Sequence, residues 1–324
     1  MYKHEIGAEG LVMAAILAGL MMAGALLFAE LPVVETPLGV CLPSPNQWHL
    51  DRWVSWGINL TLTVGIACAL YLINKHFNFI RTTDTVLPAA FLVLMAAVPQ
   101  VSMRLDAGVM VSFVWAGLLP LLFAVYRRPN ATQQMFVAAT FISLGSMICY
   151  AFALYAVGLL ILGAMMKVLR IKEFIATLLG LAAPYWVGIG FALISPSWFH
   201  MPEPTNFIMN FRPDVESVLL ASTVGLTLLW VVPLSLRNSI RLYAGNSRIL
   251  AMNFSFTVLG IISILGMLID YGNIATYIPT LFMSAAVTLA ESMALWPPRK
   301  PSIPLSLLVA FYLGLSVALI YFLY

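Results

Sequence analysis

The sequence predicts an all-α, polytopic transmembrane helix bundle of about 11 helices, and three observations carry that expectation. Of the 324 residues, 62% are hydrophobic and 9% charged, far from the soluble range, where about a quarter of residues carry charge. Apolar stretches of about twenty residues recur from Leu11 to Tyr324, each long enough at about 1.5 Å per residue to cross a hydrocarbon core of about 30 Å. Thirteen of the 16 Lys and Arg residues fall on one side of that alternation.

The first stretch, 11 to 29, follows Lys3, Glu5 and Glu9. Those acidic residues, its length and the lack of an Ala-x-Ala site before Glu30 favour a retained helix over a cleavable signal peptide. The second, 53 to 73, begins among Trp48, Trp53 and Trp56, an interfacial belt, and carries Asn59, Thr61 and Thr63 for bonding across helices. The third and fourth, 85 to 100 and 108 to 126, contain Pro88 and Pro120, which membrane helices tolerate. Residues 133 to 166 carry no charge. As one helix they would reach about 50 Å, so they read as two, 133 to 148 and 150 to 166, with a tight turn near Cys149 and Tyr150. The remaining stretches are 174 to 194, 215 to 236, 249 to 269 with Asn253, Ser255 and Thr257, 274 to 296, and 303 to 323.

The whole chain, 1 to 324, reads as a single integral membrane domain, because its longest connections, 30 to 52 and 195 to 214, are too short to fold alone. With the amino end in the cytoplasm, Lys3, Lys75, Arg81, Arg127, Arg128, Lys167, Arg170, Lys172, Arg237, Arg241, Arg248, Arg299 and Lys300 are all inside, and Arg52, Arg104 and Arg212 are outside. The positive-inside rule selects that orientation, with an external carboxyl end. The net charge of +3 is therefore a topology signal and not an affinity for nucleic acid. No zinc-type spacing, phosphate loop or other motif in the sequence indicates a metal or a cofactor.

Charge inside the hydrocarbon is nearly absent. Glu291 stands about 7.5 Å from the end of its stretch, where it is expected to reach the interface or meet Arg299. The external side is richer. Each external arginine has an acidic neighbour, in the pairs Asp51 with Arg52, Arg104 with Asp106 and Arg212 with Asp214. Glu30, His200 and Asp270 lie on the same side. If the outer helix ends converge, carboxylates and guanidinium groups from several loops surround one site, suited to holding a phosphate and placing a general base. The plain alternative is local ion pairing of loop ends, worth about 0 to 1 kcal/mol each. On the cytoplasmic side Lys167, Arg170 and Lys172 form a basic turn that faces anionic headgroups. Gly180 and Ala183 make a small-residue surface for close helix packing, within the chain or with a partner.

From Phe141 to Trp186 the chain carries Leu144-Gly145, the turn Leu169-Arg170-Ile171-Lys172-Glu173-Phe174, and Leu179-Gly180 followed by Pro184-Tyr185. This region resembles the central part of a family of uncharacterised multi-pass inner-membrane proteins of Bacteroidota-type bacteria. The resemblance implies a bacterial cytoplasmic membrane location and carries no reaction. A fainter likeness, to multi-helix glycosyltransferases acting on lipid-linked sugars, rests on an acidic residue just after the first membrane helix, here Glu30.

Two roles follow as expectations. In the first, the chain is an accessory subunit of a cell-envelope membrane complex, with membrane lipids and membrane proteins as partners. In the second, it handles lipid-linked phosphosugars at the outer leaflet. Glu30 or Asp51 then acts as base or metal ligand, Arg104 and Arg212 neutralise phosphate, and His200 or aromatic side chains guide the headgroup. Uncoupled transport of a lipid or small molecule is a third.

Overall fold

The computed structural model describes residues 8–28, 38–80, 85–199, 215–242 and 247–295, together with Phe311, Tyr312, Gly314, Leu315, Val317 and Tyr321. The described chain is all-helical. Its α-helices are α1 (Ala8–Phe28), α2 (Arg52–Phe77), α3 (Val86–Ala96), α4 (Pro99–Ser102), α5 (Ala107–Ala124), α6 (Thr132–Ile148), α7 (Ala151–Met165), α8 (Ile171–Gly190), α9 (Val215–Leu242), α10 (Ser247–Ile269) and α11 (Ile274–Leu295). Six helices, α2, α5, α8, α9, α10 and α11, contain segments long and apolar enough to cross a membrane. Most of the stretch 303 to 323 lies outside the described residues.

The uncharged run 133 to 166 divides as the membrane thickness requires. α6 ends at Ile148, Cys149 is extended (φ −148°, ψ 118°), and Tyr150 opens α7. The third stretch divides as well, into α3 and α4, where a single crossing helix was expected. Val98 precedes Pro99 and is extended (φ −118°, ψ 95°) because the proline ring disfavours helical geometry in the residue before it. The carbonyls freed at the end of α4 are not left bare, since Asn59 Nδ2 donates to Val101 O at 2.9 Å and Ser102 O at 2.8 Å. Pro120, Pro184, Pro233 and Pro279, by contrast, sit inside continuous helices.

Side-chain bonds fix the relative direction of each crossing. Ser55 Oγ accepts from Leu105 N and Asn59 binds Val101 and Ser102, so α3 and α4 return the chain to the end where α2 begins. α5 then runs parallel to α11, with Ser112 Oγ 2.9 Å from Thr280 Oγ1 and Gly108 set directly against the Thr276 carbonyl. α6 and α8 are parallel through Ser143 to Leu181 O (2.6 Å) and Ser146 to Tyr185 (2.7 Å). α7 and α10 are antiparallel through Tyr155 and Ser263 (2.8 Å) and the contact of Gly158 with Ile262.

Burial identifies the centre. Every residue of α3 is buried, and so is every residue of α11 from Thr276 to Ser292. A helix covered all round is surrounded by other helices, and α11 packs on α3, α5, α9 and α10 while α1 and α2 close over α3. The pair α6 and α8 projects at one side, and α8 turns Leu179, Trp186 and Phe191 outward, as expected of a lipid-facing helix.

The bundle has one basic end. The ends of α2, α5 and α7 and the start of α10 meet there. Arg127 N donates to Met166 O, Tyr126 Oη to Ser247 Oγ, and the Arg248 guanidinium lies 5.8 Å from the Phe77 ring centroid. Lys75, Arg127, Arg128, Lys167, Arg170 and Lys172 are all exposed. The opposite end carries the α6–α7 turn, the start of α5 and the short helix Tyr271–Asn273 before α11.

Candidate functional site

The end opposite the basic one is stitched together by the segment between α1 and α2. Cys41 N and Leu42 N donate to Met147 O, Tyr150 N donates to Leu38 O, and Arg104 Nη2 donates to Asn46 O at 3.2 Å. Asp106 caps α5 by accepting from Gly108 N at 2.7 Å. Its burial pushes the carboxyl above the usual carboxylate range, opposed by the amides of Gly108 and Ala107 and by the nearby Arg104 charge.

Tyr150 and Asp270 form the second part of this end. Tyr150 Oη donates to Asp270 Oδ2, and Asn273 Nδ2 reaches Asp270 Oδ1 (3.0 Å), Asp270 Oδ2 (3.1 Å) and Tyr150 Oη (3.0 Å). Beside them the Cys149 thiol is pushed up to about 12, first by burial and then by the Asp106 and Asp270 charges. This is a satisfied network, which favours holding helix ends over reacting with a substrate.

A cleft of about 190 Å³ lies directly beneath, lined by Ala107, Met110 and Val114 of α5, Phe141, Leu144, Gly145 and Ile148 of α6, and Cys149 and Phe152 at the turn. The lining is apolar throughout. Phe141 (51%) and Leu144 (46%) are exposed, so the cleft reaches the outer surface of the bundle.

The structure brings some expected residues near one another and leaves others apart. Arg104 and Asp106 share the turn before α5, whereas Asp51 is exposed at the N-cap position of α2, makes no capping bond, and has no bond to Arg104. Glu30, His200 and Arg212 lie outside the described residues, as do all of 30 to 37 in the first long connection and 200 to 214 in the second. Gly180 packs within the chain, where a Cβ would stand 2.5 Å from Phe136 O and 2.8 Å from the Ala139 Cβ of α6, while Ala183 is half-buried. Lys167, Arg170 and Lys172 are exposed, Lys167 with a left-handed backbone (φ 57°) that closes the α7–α8 turn. Among the described residues no three His, Cys, Asp or Glu side chains converge as a metal site would require.

One expected placement is corrected. Glu291 does not reach the interface: it is 8% exposed on the fully packed face of α11, its Oε1 has no partner, and Asn238 of α9 lies within hydrogen-bonding reach, while Arg299, its other expected partner, lies outside the described residues. Asn238 also donates to Thr288 O (3.1 Å) and Ser292 Oγ (2.9 Å). Asn253 of α10 is 6% exposed with neither carboxamide atom bonded. Asn238 carries no signal in the sequence that singles it out. Asn253 and Glu291 stand out in the sequence only as polar residues in apolar stretches, and their opposition follows from the contact of Gly260 with Ser284, which no spacing shows.

No protein-family model matches the chain, and no curated protein or solved structure matches it.

Proposed function

We propose that the chain is a non-catalytic, lipid-holding subunit of the bacterial cell envelope, set in the cytoplasmic membrane with its basic end inside. The cleft between α5 and α6 takes one apolar chain of an outer-leaflet amphiphile. The cleft itself carries this reading: it is apolar, open at the lipid-facing side chains Phe141 and Leu144, and placed at the end opposite the basic one. Arg104, three residues before the cleft residue Ala107, is the cation available to a phosphate headgroup. A non-catalytic role is favoured over a reaction on a lipid-linked sugar, because Asp106 caps a helix and Asp270 is bonded to Tyr150 and Asn273. The bacterial inner-membrane location rests on the resemblance over residues 141 to 186 and on the positive-inside rule.

The test is photocrosslinking in nanodiscs with a phospholipid carrying a diazirine in its acyl chain. Label is expected to concentrate on the peptides containing Met110, Val114 and Leu144 and to fall several-fold in Val114→Trp, which fills the cleft. Label spread evenly over α2, α6, α8 and α9, unchanged by Val114→Trp, sinks the reading.

A further inference from the structure

We propose that Glu291, Asn253 and Asn238 form an intramembrane site for one exchangeable monovalent cation, either a proton or Na⁺. The geometry comes from the register of α10 and α11. Gly260 faces Ser284 so closely that a Cβ there would lie 2.7 Å from Ser284 Oγ. Seven residues are close to two helical turns, so stepping back seven along α10 and on seven along α11 keeps the same faces opposed. Those steps arrive at Asn253 and Glu291. Asn238 enters from α9, anchored on Thr288 and Ser292, three residues before and one residue after Glu291.

Both facing groups are more than nine-tenths buried, and both have polar atoms with no partner, Glu291 Oε1 and Asn253 Oδ1 and Nδ2. A carboxylate left ionised and alone in hydrocarbon is costly, so this one requires a neutralising charge. Among the described residues none supplies it: α3 and α5 contain no ionisable side chain, and neither Arg237 of α9 nor Arg248 of α10 pairs with Glu291. Two acceptor oxygens from adjacent helices, Glu291 Oε1 and Asn253 Oδ1, suit a hard cation. The same carboxylate holds a proton while Asn238 and Asn253 bond to the resulting acid. Access is from the basic end, since Glu291 stands four residues, about 6 Å, before Leu295 at the end of α11. The site is at the opposite end from the cleft and does not depend on what the cleft holds.

Dicyclohexylcarbodiimide, which modifies protonated carboxyl groups in apolar surroundings, tests this on the full chain in liposomes, with peptide mass spectrometry as the readout. Modification of Glu291, followed over a range of pH, is expected to slow as pH rises and to be absent in Glu291→Gln. Slowing by Na⁺ at fixed pH, but not by choline, identifies Na⁺ as the bound ion, and that protection is expected to fall at least tenfold in Asn253→Leu. Dependence on pH alone identifies a proton. Glu291 that stays unmodified across this range, or is modified at a rate indifferent to both pH and Na⁺, overturns the site, and that outcome needs only the unaltered protein.

Discussion

The hydroxyl of Tyr150, the residue at which the chain turns from α6 into α7, donates to the carboxylate of Asp270, which precedes α11 and lies 120 residues further along. One bond thus ties a local break to the central helix of the bundle. Asp270 is 1% exposed, and a hydrogen bond to a buried charged group contributes about 1.5 to 3 kcal/mol. Tyr150→Phe is expected to destabilise the protein by that amount, read as a lowered unfolding midpoint in detergent, while leaving oligomeric state unchanged. A midpoint equal to that of the unaltered protein would remove the tie from the account of this end.

Gly180 and Gly225 make a matched pair of opposite expectation. A Cβ at Gly180 meets the backbone of α6 at Phe136 O, which cannot rotate away, whereas at Gly225 nothing lies within 4 Å. Gly180→Ala is expected to cost about 1 to 3 kcal/mol through forced separation of α6 and α8. Gly225→Ala is expected to stabilise by up to about 1 kcal/mol through helix propensity. Steric-trapping or denaturant titration of both variants settles the comparison. Because α6 occupies Gly180, Gly180→Leu should lower the yield of folded protein rather than release a partner.

The sequence made most of the fold readable and little of the site. Apolar runs measured against membrane thickness placed α1, α2 and α5 to α11 within a few residues, apart from a longer carboxyl end to α9, and the uncharged run 133 to 166 was expected to break near Cys149 because as one helix it would far exceed the hydrocarbon thickness. The break at Val98 was less legible, because prolines elsewhere in the chain sit in continuous helices and only the local competition decides. Glu291 shows the deeper limit. Its spacing from the helix end allowed it to snorkel, and its burial depends on α9 and α10 covering that face of α11, a pairing of helices that sequence periodicity does not specify. Arg104 was likewise visible as a charge, yet its use to hold Asn46 O is a property of the folded loop.

Cys149 is expected to be chemically silent in the folded protein. Burial between Asp106 and Asp270 pushes its thiol up to about 12, so at pH 8 the reactive thiolate is about one part in ten thousand, roughly a thousandfold below an ordinary cysteine. In a variant retaining only this thiol, with Cys41→Ser and Cys68→Ser, maleimide should label it only after denaturation. Rapid labelling of the folded protein at that pH would mean that the α6–α7 turn opens to water.

Asp106 separates the value of a helix cap from the cost of a buried charge. Its carboxyl is raised above the usual carboxylate range, chiefly by burial. The folded state therefore binds that proton more tightly than the unfolded chain does. The group's contribution favours the folded state at low pH and is lost as pH rises from the ordinary carboxylate value through the raised one. Asp106→Asn keeps an acceptor for Gly108 N and has no proton to lose, so it should flatten this part of the pH profile and match or exceed the unaltered protein at neutral pH. Asp106→Ala removes the cap, leaves the Gly108 amide without its partner, and should cost about 0.5 to 2 kcal/mol. Unfolding midpoints of the three proteins at about pH 4 and 8 decide the matter. If Asp106→Asn loses as much as Asp106→Ala at neutral pH, the ionised carboxylate is itself stabilising there, and the Arg104 charge and the two backbone amides outweigh burial.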